Sequence, residues 1–285
     1  MTSQPVTKLL PDRTEMGTVA LAVRDLERSL DYYRRVIGLE LLEREADHAV
    51  LGAGGRPLVK LEARPGGRRD DDAADLFHFA LLVPSRAALG RQLGHFVASD
   101  TRLTGASDHL VSEALYLRDP DGHGIEIYRD RPREDWYADG KFLLDTIALD
   151  AEGVLEAGRA AGGQWDGIDP GTVMGHVHLE TLDLERAKGF YVDRLGFDVM
   201  KEMAQASFVS VGGYHHHLAF NTWGNRTRRA EPDRDAIAMR WYEIRLPDRA
   251  ALDRVAAGLG SDAPRDGWLE VPDPNGLVVR FTTPA

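Results

Sequence analysis

The chain has 285 residues, 43% of them hydrophobic and 28% charged, with a formal net charge of −11 and a pI near 5.4. That sign of charge argues against an electrostatic grip on nucleic acid or on an anionic membrane, and no basic cluster opposes it. Cysteine is absent, which excludes disulfides, thiolate metal sites and cysteine nucleophiles. The opening MTSQPVTKLLPDRTEMG has no apolar core of signal-peptide length, and no run reaches the roughly 18 apolar residues a membrane span needs. A soluble, cytoplasmic protein that handles a small molecule is expected.

In chain order, the alternating stretch from Gly17 predicts a strand. An amphipathic helix follows, entered at Asp25 and closed at Gly38. The same pattern returns from Gly175 without a gap: Asp25-Leu26-Glu27-Arg28 falls on Asp183-Leu184-Glu185-Arg186, Tyr33 on Tyr191 and Gly38 on Gly196. Two weaker copies start at Leu76 and Met239. Each has a strand, a proline, Ser or Asp, then Arg-Ala-Ala-Leu opening a helix, and each ends on an Asp-Pro turn and a final strand. The chain thus reads as four units, each a strand, a helix and several strands. Residues 63–75, ARPGGRRDDDAAD, read as a solvated loop between the first two units. Residues 130–172 read as an ordered connector, because they hold Trp136, Tyr137, Phe142 and Leu143, with one short helix near Asp150 to Ala160.

His78 interrupts the apolar strand LFHFALLV, where a histidine taken alone is most readily a hydrogen-bonded core residue. Glu126 interrupts GIEIY after the turn DPDG, where a lone glutamate is often an outward face. His109 and Tyr116 on one strand and Glu126 on its hairpin partner can share one concave face, because strand side chains alternate. GGYHHHLAFNTW, residues 212–223, reads as the last strand of the third unit, with His215 and His217 on one face and His216 on the other. His123 lies in the turn DGHG and is expected to be exposed. His48 and His95 have no local partners, so structural roles are the default for both.

Four βαβββ modules in one α+β chain resemble the vicinal-oxygen-chelate superfamily, which includes glyoxalase I, bleomycin-resistance proteins and extradiol ring-cleaving dioxygenases. The resemblance is sharpest over residues 107–126, SDHLVSEALYLRDPDGHGIE. The extradiol signature places a histidine, then an aliphatic residue and tyrosine, an acid-proline turn with glycine, and a glutamate; those slots hold His109, Leu115-Tyr116, Asp119-Pro120, Gly122 and Glu126. Ser107, two before the histidine, departs from the usual pattern. The likeness implies two open barrels of the vicinal-oxygen-chelate type, with domains at residues 10–130 and 172–285 joined by a connector at 131–171.

It further implies a metal held by two histidines and one carboxylate, Fe(II) first and Mn(II) second, with a catechol-type substrate and O2. His78 and Glu126 fill ligand slots of the second unit. The matching slot is Thr18 in the first unit and His176 in the third, whereas the fourth offers Trp241 and Arg280. Counting slots pairs the second unit with the third and gives His78, Glu126 and His176 as the triad, with His178, two residues on, as the rival ligand. His109 is carried over as acid/base and Tyr116 as a hydrogen-bond donor to substrate. His178, His215, His216 and His217 are assigned to contacts with the substrate or behind the ligands. Two alternatives stand beside this reading: a glyoxalase-like metal-dependent isomerase or transferase, and a metal-free binding protein of the resistance type. Nothing in the chain opposes self-association into a homo-oligomer.

Overall fold

The structure, a computed structural model, describes residues 8–231, 235–262 and 267–284. The first unit contains β1 (Glu15–Val23), α1 (Leu26–Tyr32) continued by a π-helical turn (Tyr33–Ile37), β2 (Glu40–Arg44), β3 (His48–Ala53) and β4 (Arg56–Ala63). The second contains β5 (Asp75–Leu82), α2 (Arg86–Ala98), β6 (Gly105–Asp108), β7 (Ser112–Arg118) and β8 (Gly124–Asp130). The connector carries a 3-10 turn (Arg133–Trp136), β9 (Tyr137–Ala138), β10 (Lys141–Phe142), β11 (Ile147–Ala148) and α3 (Ala151–Ala160). The third unit repeats the first with β12 (Val173–Glu180), α4 (Leu184–Lys188) with its π-helical turn (Gly189–Arg194), β13 (Asp198–Met203), β14 (Ala206–Ser210) and β15 (Leu218–Asn221). In the fourth, β16 (Met239–Arg245) and α5 (Arg249–Leu259) are followed by β17 (Trp268–Pro272) and β18 (Val278–Thr282).

Local chemistry starts the helices where the sequence places them. The carboxylates of Asp25, Asp183 and Asp248 and the Ser85 hydroxyl each accept a backbone N–H from the first turn, which stabilises each helix by about 1 kcal/mol. Gly38 and Gly196 both sit at φ 89°, a left-handed conformation that favours glycine after each π-helical turn. The repeat extends to a buried lock. Tyr33 donates to Asp119 Oδ2 at 3.1 Å and Tyr191 to Asp273 Oδ2 at 2.9 Å, each tying a helix to the Asp-Pro turn that ends the following unit. His123 in the first of these turns is buried, not exposed as expected: the turn packs on β1, and His123 Nε2 donates to the Ala22 carbonyl at 3.0 Å.

The strands form a seven-stranded sheet, β17-β18-β16-β1-β4-β3-β2, and a nine-stranded sheet, β11-β6-β7-β8-β5-β12-β15-β14-β13. β1 pairs β16 antiparallel, and β5 pairs β12 antiparallel, so the second and third units share a sheet, as the slot count expected. Each sheet therefore draws on residues 10–130 and on residues 172–285. The residues between the sheet strands and the helices make one large apolar core, with Val19, Leu21, Phe79, Leu81, Val177 and Phe220 all buried. The connector is ordered: Trp136 is buried with Val111 and Leu144. The 63–75 loop is largely exposed, yet Asp72 accepts the backbone N–H groups of Thr227 and Arg228 at 2.8 and 3.0 Å. Among the described residues, no helix is long and apolar enough to cross a membrane.

Candidate metal centre

Strand register brings the chemistry together. Tyr116 on β7 faces Glu126 on β8, Glu126 faces Ala80 on β5, and Ala80 faces His176 on β12, one row across four strands. The small Ala80 side chain leaves room between the carboxylate and the imidazole. His78 lies two residues before Ala80 on β5, on the same face. His78 Nε2 and His176 Nε2 are 2.9 and 3.0 Å from the same oxygen, Glu126 Oε2. One ligand atom from each of the three residues lies within 4.8 Å of the others, and all three residues are buried.

The close packing beneath the site has a sequence cause. At Gly124, the first residue of β8, a Cβ would lie 2.0 Å from the Phe77 carbonyl oxygen and 3.0 Å from His78 Cβ. Only glycine lets β8 come this near to β5.

Burial by itself would raise the Glu126 carboxyl. The His176 and His78 rings outweigh it and hold the group well below the usual carboxylate range. Burial pushes the His176 imidazole down to about 4, against the pull of Glu126. The centre is therefore a buried carboxylate bonded to imidazole N–H groups. With those two hydrogens carried on the Nδ1 atoms instead, two neutral-imidazole lone pairs and a carboxylate converge on one point, the donor set of a two-histidine, one-carboxylate metal site. His176 Nδ1 is buried without a protein partner.

A cavity of about 460 Å3 opens over this centre. His109 and Tyr116 stand on one wall, with Tyr116 Oη 2.6 Å from His109 Nε2. His109 Nδ1 is 3.0 Å from the Asp145 carbonyl, which only accepts, so Nδ1 carries the hydrogen and Nε2 accepts from Tyr116. Thr146 Oγ1, 3.1 Å from the same nitrogen, adds to the hold. Burial and the neighbouring Glu126 charge push the Tyr116 phenol well above its usual value, so it remains a donor.

The opposite wall is aromatic. The Phe77 ring lies 5.0 Å from His178 and 5.4 Å from Trp223, and Phe208 lies 5.2 Å from His216. Along a second row, His78 faces His178, His178 faces Ala219, Ala219 faces Phe208 and Phe208 faces Lys201. His178 stays off the triad. Its Nε2 is 2.9 Å from Asn221 Nδ2, and burial, then the neighbouring His78 and His176, push it well below the usual imidazole value.

The histidine triplet keeps the expected alternation, His216 on one side and His215 and His217 together against Tyr214, but it precedes the strand instead of lying in it. The strand begins only at Leu218, because Gly212 and Gly213, at φ 60° and 67°, turn the chain and leave 214–217 irregular. His216 lines the cavity with its ring centroid 4.1 Å from that of His176. His215 turns toward Asp130, and His217 Nδ1 meets Ser210 Oγ at 2.8 Å. Burial lowers His216 well below the usual range and His217 to about 3.

Sequence reasoning missed the aromatic wall and the connector's contribution. Trp223 closes the quoted GGYHHHLAFNTW and Phe77 adjoins His78, so both lay beside residues already singled out. Asp145 and Thr146 carried no local signal.

The outer equivalent of this centre, in the seven-stranded sheet, is filled. The Arg280 guanidinium lies 3.6 Å from the Trp241 ring centroid and bonds Glu270 at 2.5 Å. Thr18, in the remaining histidine slot, donates its backbone N–H to Glu243 Oε2 at 2.6 Å.

The glyoxalase/bleomycin resistance protein/dioxygenase superfamily matches residues 15–127, and a bleomycin resistance protein-like N-terminal family matches residues 174–213. Over 250 residues the chain is 42% identical to the catechol-2,3-dioxygenase of Bacillus subtilis (strain 168), an alignment spanning 85% of this chain and 86% of that protein. A crystal structure of a protein from Bacillus subtilis subsp. subtilis str. 168 superposes with a TM-score of 0.64 at 13% identity, covering 94% of this chain and 84% of that one. Glyoxalase I from Zea mays superposes with a TM-score of 0.55 at 16% identity, covering 95% and 92%. These two likenesses concern the fold.

Proposed function

The chain belongs to the glyoxalase/bleomycin resistance protein/dioxygenase superfamily, and on that footing we propose that it is an extradiol dioxygenase, which opens a catechol ring beside its two hydroxyls with O2. One observation carries this reading: His78 Nε2, His176 Nε2 and Glu126 Oε2 converge beneath an aromatic-walled cavity. The supporting comparison is the 42% identity to a catechol-2,3-dioxygenase over most of both chains. We read the four units as βαβββ modules in two open barrels, the fourth with two strands after its helix among the described residues, and the second and third modules forming the catalytic barrel.

His78, Glu126 and His176 would hold Fe(II), with Mn(II) as the alternative ion. Such an ion supplies a redox link between an electron-rich diol and O2. Glu126 brings the one negative charge, which its two imidazole neighbours keep ionised. His176 is neutral at pH 7, as a ligand must be. Tyr116 donates a hydrogen bond to the substrate oxygen beside it. His109, its Nδ1–H fixed by Asp145, keeps Nε2 unprotonated, so that once Tyr116 turns its O–H to the substrate this nitrogen takes a proton from a hydroxyl and returns it later. Phe77, Phe208 and Trp223 hold a flat ring and keep bulk water from it. His178 and His216 contact the substrate from the far wall, with His215 and His217 behind them.

Metal analysis and a colour assay test the reading. Anaerobically purified protein should carry about one iron per chain, and catechol in air should give a yellow ring-cleavage product. Both should vanish in His78→Ala and His176→Ala. A chain that takes up no iron and makes no colour after Fe(II) reconstitution would rule out the dioxygenase.

A further inference from the structure

Behind the cavity wall runs a hydrogen-bonded chain that the scheme above leaves unused. Asp130 Oδ1 is 2.8 Å from His215 Nε2, and His215 Nδ1 is 2.7 Å from His216 Nδ1. The Asp130 carboxylate also accepts the Tyr214 hydroxyl at 3.2 Å. His216, at the inner end, faces the cavity beside His176.

Donor and acceptor types fix the protons. A carboxylate only accepts, so His215 Nε2 carries a hydrogen. His215 is fully buried, with the rings of Tyr214, Trp136 and Tyr128 at 4.1, 5.2 and 5.9 Å. With that single N–H on His215, its Nδ1 is a lone pair, and the hydrogen in the 2.7 Å contact belongs to His216 Nδ1. The remaining His216 nitrogen, Nε2, is then bare.

We propose that Asp130 and His215 are positioning residues that lock His216 in its Nδ1–H tautomer and keep an unprotonated Nε2 on the cavity wall. A free neutral histidine prefers the opposite tautomer, so the lock overrides the default. Its use, which rests on the dioxygenase reading, is as an acceptor for an O–H of the bound diol.

Long-range proton–nitrogen correlation of the full-length chain, labelled with 15N-histidine, reads the tautomer directly. Spectra are taken metal-free and with diamagnetic Zn(II), and His216→Gln assigns the signals. His216 should show hydrogen on Nδ1 and a bare Nε2. His215→Phe should move the hydrogen to Nε2. His215→Gln, whose amide can accept from His216 and donate to Asp130, should restore the Nδ1–H form. In the Fe(II)-loaded enzyme, His215→Phe should raise KM for catechol about tenfold, the effect of one lost hydrogen bond, and His215→Gln should recover most of it. Hydrogen on Nε2 in the unaltered chain, or a tautomer indifferent to His215→Phe, overturns the assignment. These spectra need neither catechol nor turnover, so they decide the lock even if the chain cleaves no catechol.

Discussion

Glu126→Gln tests the centre most directly, because it keeps the shape and removes the charge. In the metal-free protein, Glu126 Oε2 accepts from two imidazoles at 2.9 and 3.0 Å while nearly inaccessible to solvent. Bonds to an ionised acceptor contribute about 1.5–3 kcal/mol each and neutral ones about 1, so the substitution should cost about 2 kcal/mol. With metal present the loss is larger. Disturbing even a residue behind a ligand weakens metal binding about 10–100-fold, so loss of the one anionic ligand should weaken it at least about 100-fold. At a metal concentration about 100 times the original Kd, nearly all of the ligand-linked stabilisation of about 2.7 kcal/mol then disappears. At about 2 °C per kcal/mol for a chain of this size, the metal-induced rise in Tm should fall by about 5 °C. Anaerobic thermal melts with and without Mn(II) measure both quantities. An unchanged metal-induced shift in Glu126→Gln would refute the placement of the ion at this oxygen.

Tyr116→Phe removes the donor to His109 Nε2 and should lower kcat about 10–100-fold with little change in metal content, checked by steady-state kinetics and iron analysis. An active Phe variant would remove Tyr116 from the reaction. Gly124→Ala places a methyl 2.0 Å from the Phe77 carbonyl and should destabilise the protein by about 2–4 kcal/mol, read by urea unfolding. Acid should destabilise the metal-free chain through its buried histidines. His176, near 4, and His217, near 3, both lie below the unfolded value of about 6.5, so their stabilisation is complete above that pH and is lost as pH falls through the folded values. Between pH 6 and 4 the two together should contribute a slope approaching about 2.7 kcal/mol per unit, and a flat stability curve over that range would contradict their burial as neutral groups.

The sequence by itself determined what depends on neighbours along the chain. Capping at Asp25, Ser85, Asp183 and Asp248, the closing glycines 38 and 196, and the repeat that made Tyr33 equivalent to Tyr191 are local or periodic features, and they survive folding unchanged. The spacing of His109, Tyr116 and Glu126 was legible for the same reason: a strand and its hairpin partner obey a two-residue alternation. His176 was reachable by comparing equivalent slots, since the repeat carries positional information across the chain.

Only the tertiary structure decided contacts between segments with no shared period. Alternation set His216 apart from His215 and His217, but which side meets the cavity follows from how the segment after glycines 212 and 213 packs. His123 is buried because a turn meets β1 about a hundred residues away, and His109 gains its fixed tautomer from Asp145 in the connector. Asp130 reaches His215 across 85 positions. Burial and partner choice of this kind arise from the closeness of distant strands, and no local pattern of polar and apolar residues encodes which distant atom will be the neighbour.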